Sequence, residues 1–192
     1  MARIIPELNP DLIENEGERR VYMAARDLPG DYTVIYGYKF CDQVTGAVIW
    51  QADLIIVHPF KGYIVLKIYL GEVGFFNGRW HEFIQGGYRE MKRDPLDEAR
   101  AAAYAIARSY KEKTGWTFPL GFDFGLCFPE CSNIEGQLPG IVRPANLLVS
   151  RDMENFATRI GQIFATLRTG RDAAACNRLA EHILTANFRL YN

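Results

Sequence analysis

Cysteine is scarce in this chain, and no metal-ligand spacing is complete. Cys41, Cys127, Cys131 and Cys176 are scattered over 192 residues. No Cys-x-x-Cys pair occurs. The Cys127–Cys131 spacing suits zinc, but a second ligand pair is missing, and His81 and His182 have no paired spacing. Reduced thiols in a cytoplasmic protein are expected. No apolar run reaches the roughly 18–20 residues of a membrane span. The N-terminus lacks the cationic-then-apolar pattern of an export signal. There is no internal repeat and no low-complexity tract. No Gly-x-x-x-x-Gly-Lys-[Ser/Thr] loop cradles a phosphate, so the chain is not an ATPase by itself. No Gly-x-Ser-x-Gly elbow points to a hydrolase triad. An excess of either charge is also lacking. Lys and Arg number 22 against 23 Asp and Glu, a net charge of −1. Nucleic-acid binding therefore has no bulk electrostatic argument, and any basic surface must be local.

What the chain does have is an ordinary globular composition, 48% apolar and 23% charged. A chain of this length buries roughly 70% of its unfolded surface and needs no disulfide or metal staple.

Periodicity lays out the elements. Leu12, Val21, Ala24, Ala25 and Leu28 make a helical stripe over about Asp11–Leu28, which Pro29-Gly30 stops. Three β-branched and aromatic stretches follow, Tyr32–Phe40, Ala47–Val57 and Tyr63–Leu70. His58-Pro59-Phe60-Lys61-Gly62 turns between the last two. Asn77-Gly78, between Phe75-Phe76 and Trp80, signals a hairpin because both residues tolerate positive φ. Asp94 caps the clearest helix, Pro95 suits its first position and Gly115 ends it. Its buried stripe is Leu96, Ala99, Ala103, Ile106, Ala107 and Tyr110. Gly121–Phe128 reads as a strand. A loop with Gly136, Pro139 and Gly140 runs on to Pro144. Leu147-Leu148-Val149 is a short strand. Ser150 or Asp152 then caps a helix burying Met153, Phe156, Ile160, Ile163, Phe164 and Leu167, and a last helix covers about Arg171–Asn187. The fold class is α/β, with a mixed sheet flanked by helices.

Asp53 stands next to an apolar strand core, Leu54 to Val57. A carboxylate in a buried strand is costly unless paired or metal-bound. The alternative is a strand-edge residue facing water, and alternation alone leaves both open.

Several segments, in order, resemble a known family. They are Gly17-Glu18-Arg19-Arg20-Val21, Ala52-Asp53-Leu54-Ile55-Ile56-Val57-His58-Pro59, Gly62-Tyr63-Ile64-Val65-Leu66, Gly78-Arg79-Trp80 and Asp94-Pro95-Leu96-Asp97-Glu98-Ala99-Arg100. The chain resembles the nuclease-related domain (NERD) family, a branch of the PD-(D/E)xK nuclease-like superfamily, over about Glu14 to Pro129. The resemblance implies a restriction-endonuclease-like central mixed β-sheet flanked by helices. It places the core at 1–149 and a C-terminal helical extension packed on it at 150–192. It also implies a role in DNA processing, alone or beside a helicase. In the superfamily a helix Glu, a strand Asp and a Glu on the next strand hold Mg²⁺, and a Lys two residues on helps to activate water. Glu18 and Asp53 match the first two positions and are the implied metal ligands.

The next two positions depart. The family pattern Val-Leu-Glu-Val-Lys is here Val65-Leu66-Lys67-Ile68-Tyr69. Lys67 takes the metal-binding Glu position and Tyr69 the catalytic Lys position. Unit charges about 4 Å apart at an effective dielectric of about 20 interact by roughly 4 kcal/mol, and a divalent ion doubles that. Affinity for Mg²⁺ is expected to collapse, with Lys67 pairing to Asp53 or Glu18 in the ion's place. Glu98, where the family helix carries Gln, is either a migrated ligand, a Lys67 partner or a solvated acid. Arg100, Lys61 and Arg79 are candidate backbone contacts to nucleic acid. Tyr69, Trp80 and Tyr88 are candidate base-stackers, with core packing as the alternative. His58 reads as a turn-stabilising residue.

Three functions follow. One is a degraded nuclease-like domain that binds DNA or a partner and uses no cofactor. Another is an active Mg²⁺-dependent deoxyribonuclease with a rearranged centre built on Glu18, Asp53, Lys67 and Glu98. The third is a protein-interaction or regulatory domain, acting on a helicase or inhibiting an active relative. No membrane association is expected.

Overall fold

The computed structural model describes residues 1–42, 44–138 and 140–184. Pro139 and positions 185–187, the end of the expected last helix, lie outside the described residues. The order is β1 (Arg3–Ile5), α1 (Glu16–Arg26), β2 (Thr33–Cys41), β3 (Val48–His58), β4 (Gly62–Ile68), β5 (Val73–Phe76), β6 (Arg79–Ile84), β7 (Gly87–Glu90), α2 (Pro95–Thr114), β8 (Phe122–Phe128), β9 (Glu135–Gly136), β10 (Leu147–Val149), α3 (Phe156–Phe164) and α4 (Ala173–Arg178), with wider helical turns continuing over Leu179–Leu184. Six strands form one sheet in the order β1-β2-β3-β4-β8-β10, and four form a second in the order β7-β6-β5-β9. β2, β3 and β4 are an antiparallel meander. β8 returns parallel to β4, with α2 in the crossover, and β10 adds parallel to β8. This is a mixed α/β, restriction-endonuclease-like layout.

Alternation in the central strands feeds two cores. Val34, Tyr36, Leu54, Ile56, Ile64 and Leu66 face α1 and α3, meeting Val21, Tyr22, Ala25, Phe156, Ile160 and Phe164. Ile35, Ile55, Val57, Tyr63 and Val65 face α2 and the C-terminal helical turns, meeting Ala103, Ile106, Tyr110, Cys176 and Leu179. With both faces covered, these strands read as near-continuous apolar runs. A third cluster lies under the small sheet, where Val73 and Trp80 pack on Leu96 and Ala99 of α2 and on Leu126 and Phe128 of β8.

The expected first helix is shorter than its stripe. Pro10–Leu12 form a separate 3₁₀ turn capped by Asn9, and α1 begins only after Asn15, whose side chain accepts from Glu18 N at 2.9 Å. Leu12 is exposed, while Val21, Ala25 and Leu28 are buried. Asp94 caps α2 by accepting from Leu96 N and Asp97 N, and Gly115 closes it in the left-handed conformation. Asn77 and Gly78 both take positive φ in the expected hairpin. A second hairpin through Gln85-Gly86, also at positive φ, adds β7. The separate small sheet, β1 and β9 were not foreseen. Gln-Gly is a weaker turn signal than Asn-Gly, and strands of two to four residues leave little periodicity to read.

His58 holds its turn as expected. Nδ1 accepts from Phe60 N at 3.1 Å and Nε2 lies 3.0 Å from Asp31 Oδ2. Burial, aided by Lys61 and opposed by Asp31, lowers the imidazole pKa. The neutral ring is therefore the stabilising form. Its contribution is complete above the ordinary histidine range near about 6.5 and is lost as pH falls through the lowered value. Chemical denaturation between about pH 7 and 5 should show wild-type stability falling more steeply than that of His58→Gln.

Gly62 opens β4 at φ 94°, and a Cβ there would sit 1.7 Å from Gly121 O. Gly62→Ala should cost more than about 3 kcal/mol in thermal unfolding. Gly87→Ala, whose Cβ meets nothing within 4 Å, should stay within about 0.5 kcal/mol of wild type.

Candidate functional site

The site forms where the central sheet splits. β3 pairs with β4 only as far as Leu54 opposite Leu66. Beyond that point β3 continues with β2 out to Val48, and β4 stays with β8 out to Ile68. The split frees one ladder position, and a carboxylate fills it. Asp53 Oδ2 accepts from Ile68 N at 2.8 Å. Gly37, between the paired Tyr36–Leu54 and Tyr38–Ala52, faces Asp53 at φ 66°, a conformation natural to glycine.

Lys67 is the next residue of β4 after the split. Its Nζ lies 3.2 Å from Asp53 Oδ2 and 3.8 Å from Glu98 Oε2. All three side chains are half-buried. Glu98 reaches Lys67 from α2, and its other oxygen lies 3.5 Å from Arg93 Nη1. Burial raises the Asp53 pKa, even though the Lys67 cation and the Ile68 N–H both pull it down; the nearby Glu98 charge adds to the rise.

Glu18 comes from the opposite side. Its carboxylate takes the hydroxyl hydrogen of Tyr36, whose ring packs edge-on against Tyr22 at 5.2 Å. Burial first, then Glu18's hydrogen bond and charge, hold the Tyr36 phenol well above the usual tyrosine range, so it stays a donor. The expected alternative of a Lys67–Glu18 pair is not formed: Lys67 pairs with Asp53 and Glu98, and among the described residues Glu18 has no ion-pair partner. Alternation breaks at this point: Tyr36 and Leu54 belong to the core under α1, whereas Tyr38 and Ala52, two residues away on the same strands, belong to the core under α2. Arg19 and Arg20 fix α1 around Glu18. Arg19 donates twice to Ile13 O, at 3.1 and 2.8 Å, and Arg20 reaches Pro129 O and Ser150.

Glu18, Tyr36, Asp53 and Lys67 line one cleft of about 600 Å³, with Leu8, Ile13 and Leu70 among its apolar walls. Its polar lining is Glu14, Asn15, Glu18, Tyr36, Asp53 and Lys67, so carboxylates outnumber cations. Among the described residues no group of three or more His, Cys, Asp or Glu is placed to hold a metal ion.

The other sequence candidates lie elsewhere. Tyr69 donates its hydroxyl to Glu82 of the small sheet. Burial and that hydrogen bond push its pKa up to about 12. Lys61 lies in the turn just before β4, roughly 20 Å along the chain direction from Lys67. Arg79 pairs with Glu90 at 2.6 Å and Arg100 with Asp97, both on the exposed surface outside the cleft. Trp80 is buried under the small sheet and offers no face for a base, whereas Tyr88 is exposed. Tyr36 was missed, because an aromatic inside an apolar strand carries no signal of its hydroxyl's partner.

Lys67→Met should leave Asp53 without its nearest cation. The Asp53 carboxyl pKa should rise further in a carbon-detected NMR titration. Stability at neutral pH should fall by about 1–3 kcal/mol, less than for a fully buried pair because the group is partly exposed.

A family model described as the nuclease-related domain matches residues 13–122. No curated protein and no solved structure matches the chain.

Proposed function

The chain belongs to the nuclease-related domain family, and on that footing we propose that it is a nuclease-like domain working in DNA processing without metal-dependent cleavage. In this reading it binds nucleic acid or a partner, in the cytoplasm, and the ammonium of Lys67 takes the place of a divalent cation. One observation carries it: Lys67 Nζ lies between Asp53 Oδ2 and Glu98 Oε2, at 3.2 and 3.8 Å. The donor chemistry supports it. Asp53 is engaged by Lys67 and Ile68 N–H, Glu98 by Lys67 and Arg93, and Glu18 by Tyr36. A divalent ion would have to displace these donors and accept a neighbouring positive charge, so the residues present do not fit Mg²⁺.

The place of Glu98 supports a second reading, an active centre rearranged around Asp53 and Glu98. The two separate cleanly. The purified chain with Mg²⁺ or Mn²⁺ should leave single- and double-stranded DNA intact, and calorimetry should show no divalent binding up to millimolar concentration. Lys67→Glu should gain Mn²⁺ binding, read as a metal-dependent rise in melting temperature, because it exchanges the internal cation for a third carboxylate. Metal-dependent cutting by the wild-type chain that disappears in Asp53→Asn would establish the second reading and end the first.

A further inference from the structure

The cleft that holds Lys67 has more acid than its own cation answers. Its lining sets three carboxylates, Glu14, Glu18 and Asp53, against one ammonium. Lys67 is already neutralised by Asp53 and by Glu98 behind it. Glu18 gives Oε1 to the Tyr36 hydroxyl, a neutral donor, and its Oε2 has no hydrogen-bond partner among the described residues. Glu14 is exposed, and its side chain has neither an ion pair nor a hydrogen bond among those residues. Two carboxylates in one cleft therefore lack a counter-ion.

The rest of the lining is apolar. Leu8 and Ile13 make a wall, and Leu12 and Leu70 stay 78% and 37% exposed. A lone exposed leucine needs no explanation, but two beside a pair of unanswered acids make the cleft amphipathic. Its volume of about 600 Å³ falls within the range of about 300–1,000 Å³ typical of ligand sites. One short stretch supplies both characters: Leu12 closes the 3₁₀ turn, and Glu14 and Glu18 follow across the start of α1. That stretch is held in place. Asn15 accepts from Glu18 N at 2.9 Å, and Arg19 donates twice to Ile13 O. A site fixed in this way loses little conformational entropy on binding.

We infer that this cleft docks an arginine side chain of a protein partner, with the guanidinium on Glu18 and Glu14 and the methylene stem, beside a neighbouring apolar residue, along Leu12 and Leu70. Charge complementarity selects the occupant. A phosphate backbone meets three carboxylates and a lysine that is already paired, so nucleic acid is disfavoured here. A guanidinium presents a planar fork of N–H donors to carboxylates and is more weakly hydrated than an ammonium, so arginine suits the cleft better than lysine. Its stem packs on apolar surface while the charged head reaches the acids. The docking rests on the reading that no divalent ion occupies the cleft, because a bound dication would offset the acids and favour phosphate instead.

The test uses the full chain, isotopically labelled, in EDTA, with the acetylated, amidated peptide Ser-Leu-Arg-Leu-Ser. Carbon-detected NMR should show the Glu18 and Glu14 carboxyl signals shifting saturably at micromolar to low-millimolar peptide. The citrulline counterpart, similar in shape but neutral, should bind at least about tenfold more weakly. Glu18→Gln keeps an acceptor for Tyr36 and should weaken the arginine peptide by a similar factor. Leu12→Ala, at an exposed position, should weaken it several-fold. Absence of carboxyl shifts at millimolar peptide, or equal binding of the citrulline peptide or by Glu18→Gln, overturns the docking and leaves the metal-free reading standing. So does ethylguanidinium binding as tightly as the peptide, which assigns the cleft to a free organic cation, or a thymidine oligonucleotide that shifts Glu18 in EDTA. A separate titration with Mg²⁺ and no peptide checks the underlying reading. Glu18 and Asp53 carboxyl shifts below millimolar Mg²⁺ would end that reading, and the docking with it.

Discussion

An ammonium–carboxylate contact sits where β3 and β4 of the central sheet come apart. β3 and β4 run together from their turn to Leu54 and Leu66 and then diverge. Two facing strands that separate leave backbone donors without partners, and buried donors are costly. Asp53 resolves this by taking the Ile68 N–H into its carboxylate. That carboxylate is then charged, half-buried and in need of a counter-ion, which Lys67 provides from the adjoining strand. The split, the acid and the lysine are therefore one unit. Tyr36 and Glu18 line the same cleft, joined by a phenol–carboxylate bond.

The unit is held from both layers. α1 carries Glu18 and is tied down by Arg19 on Ile13 and by Arg20 on Pro129 and Ser150. These two arginines belong to the Gly17–Val21 segment that carries the family resemblance, and the structure gives them a positional task. α2 carries Glu98 and is capped by Asp94. Asp53 keeps a raised pKa amid these donors, which means that ionising it opposes folding as pH rises from the unfolded carboxylate range toward its folded value.

Much of this was legible in the chain. Long elements announced themselves: α2 by Asp94-Pro95 and Gly115, the meander by three apolar runs, and the β5–β6 hairpin by Asn77-Gly78. The resemblance set Lys67 beside Asp53 and Glu18 and left either as its partner; the structure gives it Asp53. What stayed hidden depended on tertiary placement. Alternation cannot say that Tyr36 and Asp53 line one cleft, because it breaks between Tyr36 and Tyr38. It also cannot say that Trp80, after a turn, is covered by α2 while Tyr88, in a similar setting, is bare. Leu12 fitted a helical stripe, but Asn15 starts the helix after it.

α2 ties the two sheets into one mechanical body. Leu96 and Ala99 pack under the small sheet, and Ala103, Ile106 and Tyr110 pack on the large one. Glu98 stands between Leu96 and Ala99, so the oxygen that faces Lys67 rides on the stretch of helix gripped by the small sheet. The lysine's clasp and the outer strands thus share one anchorage, the first turns of α2.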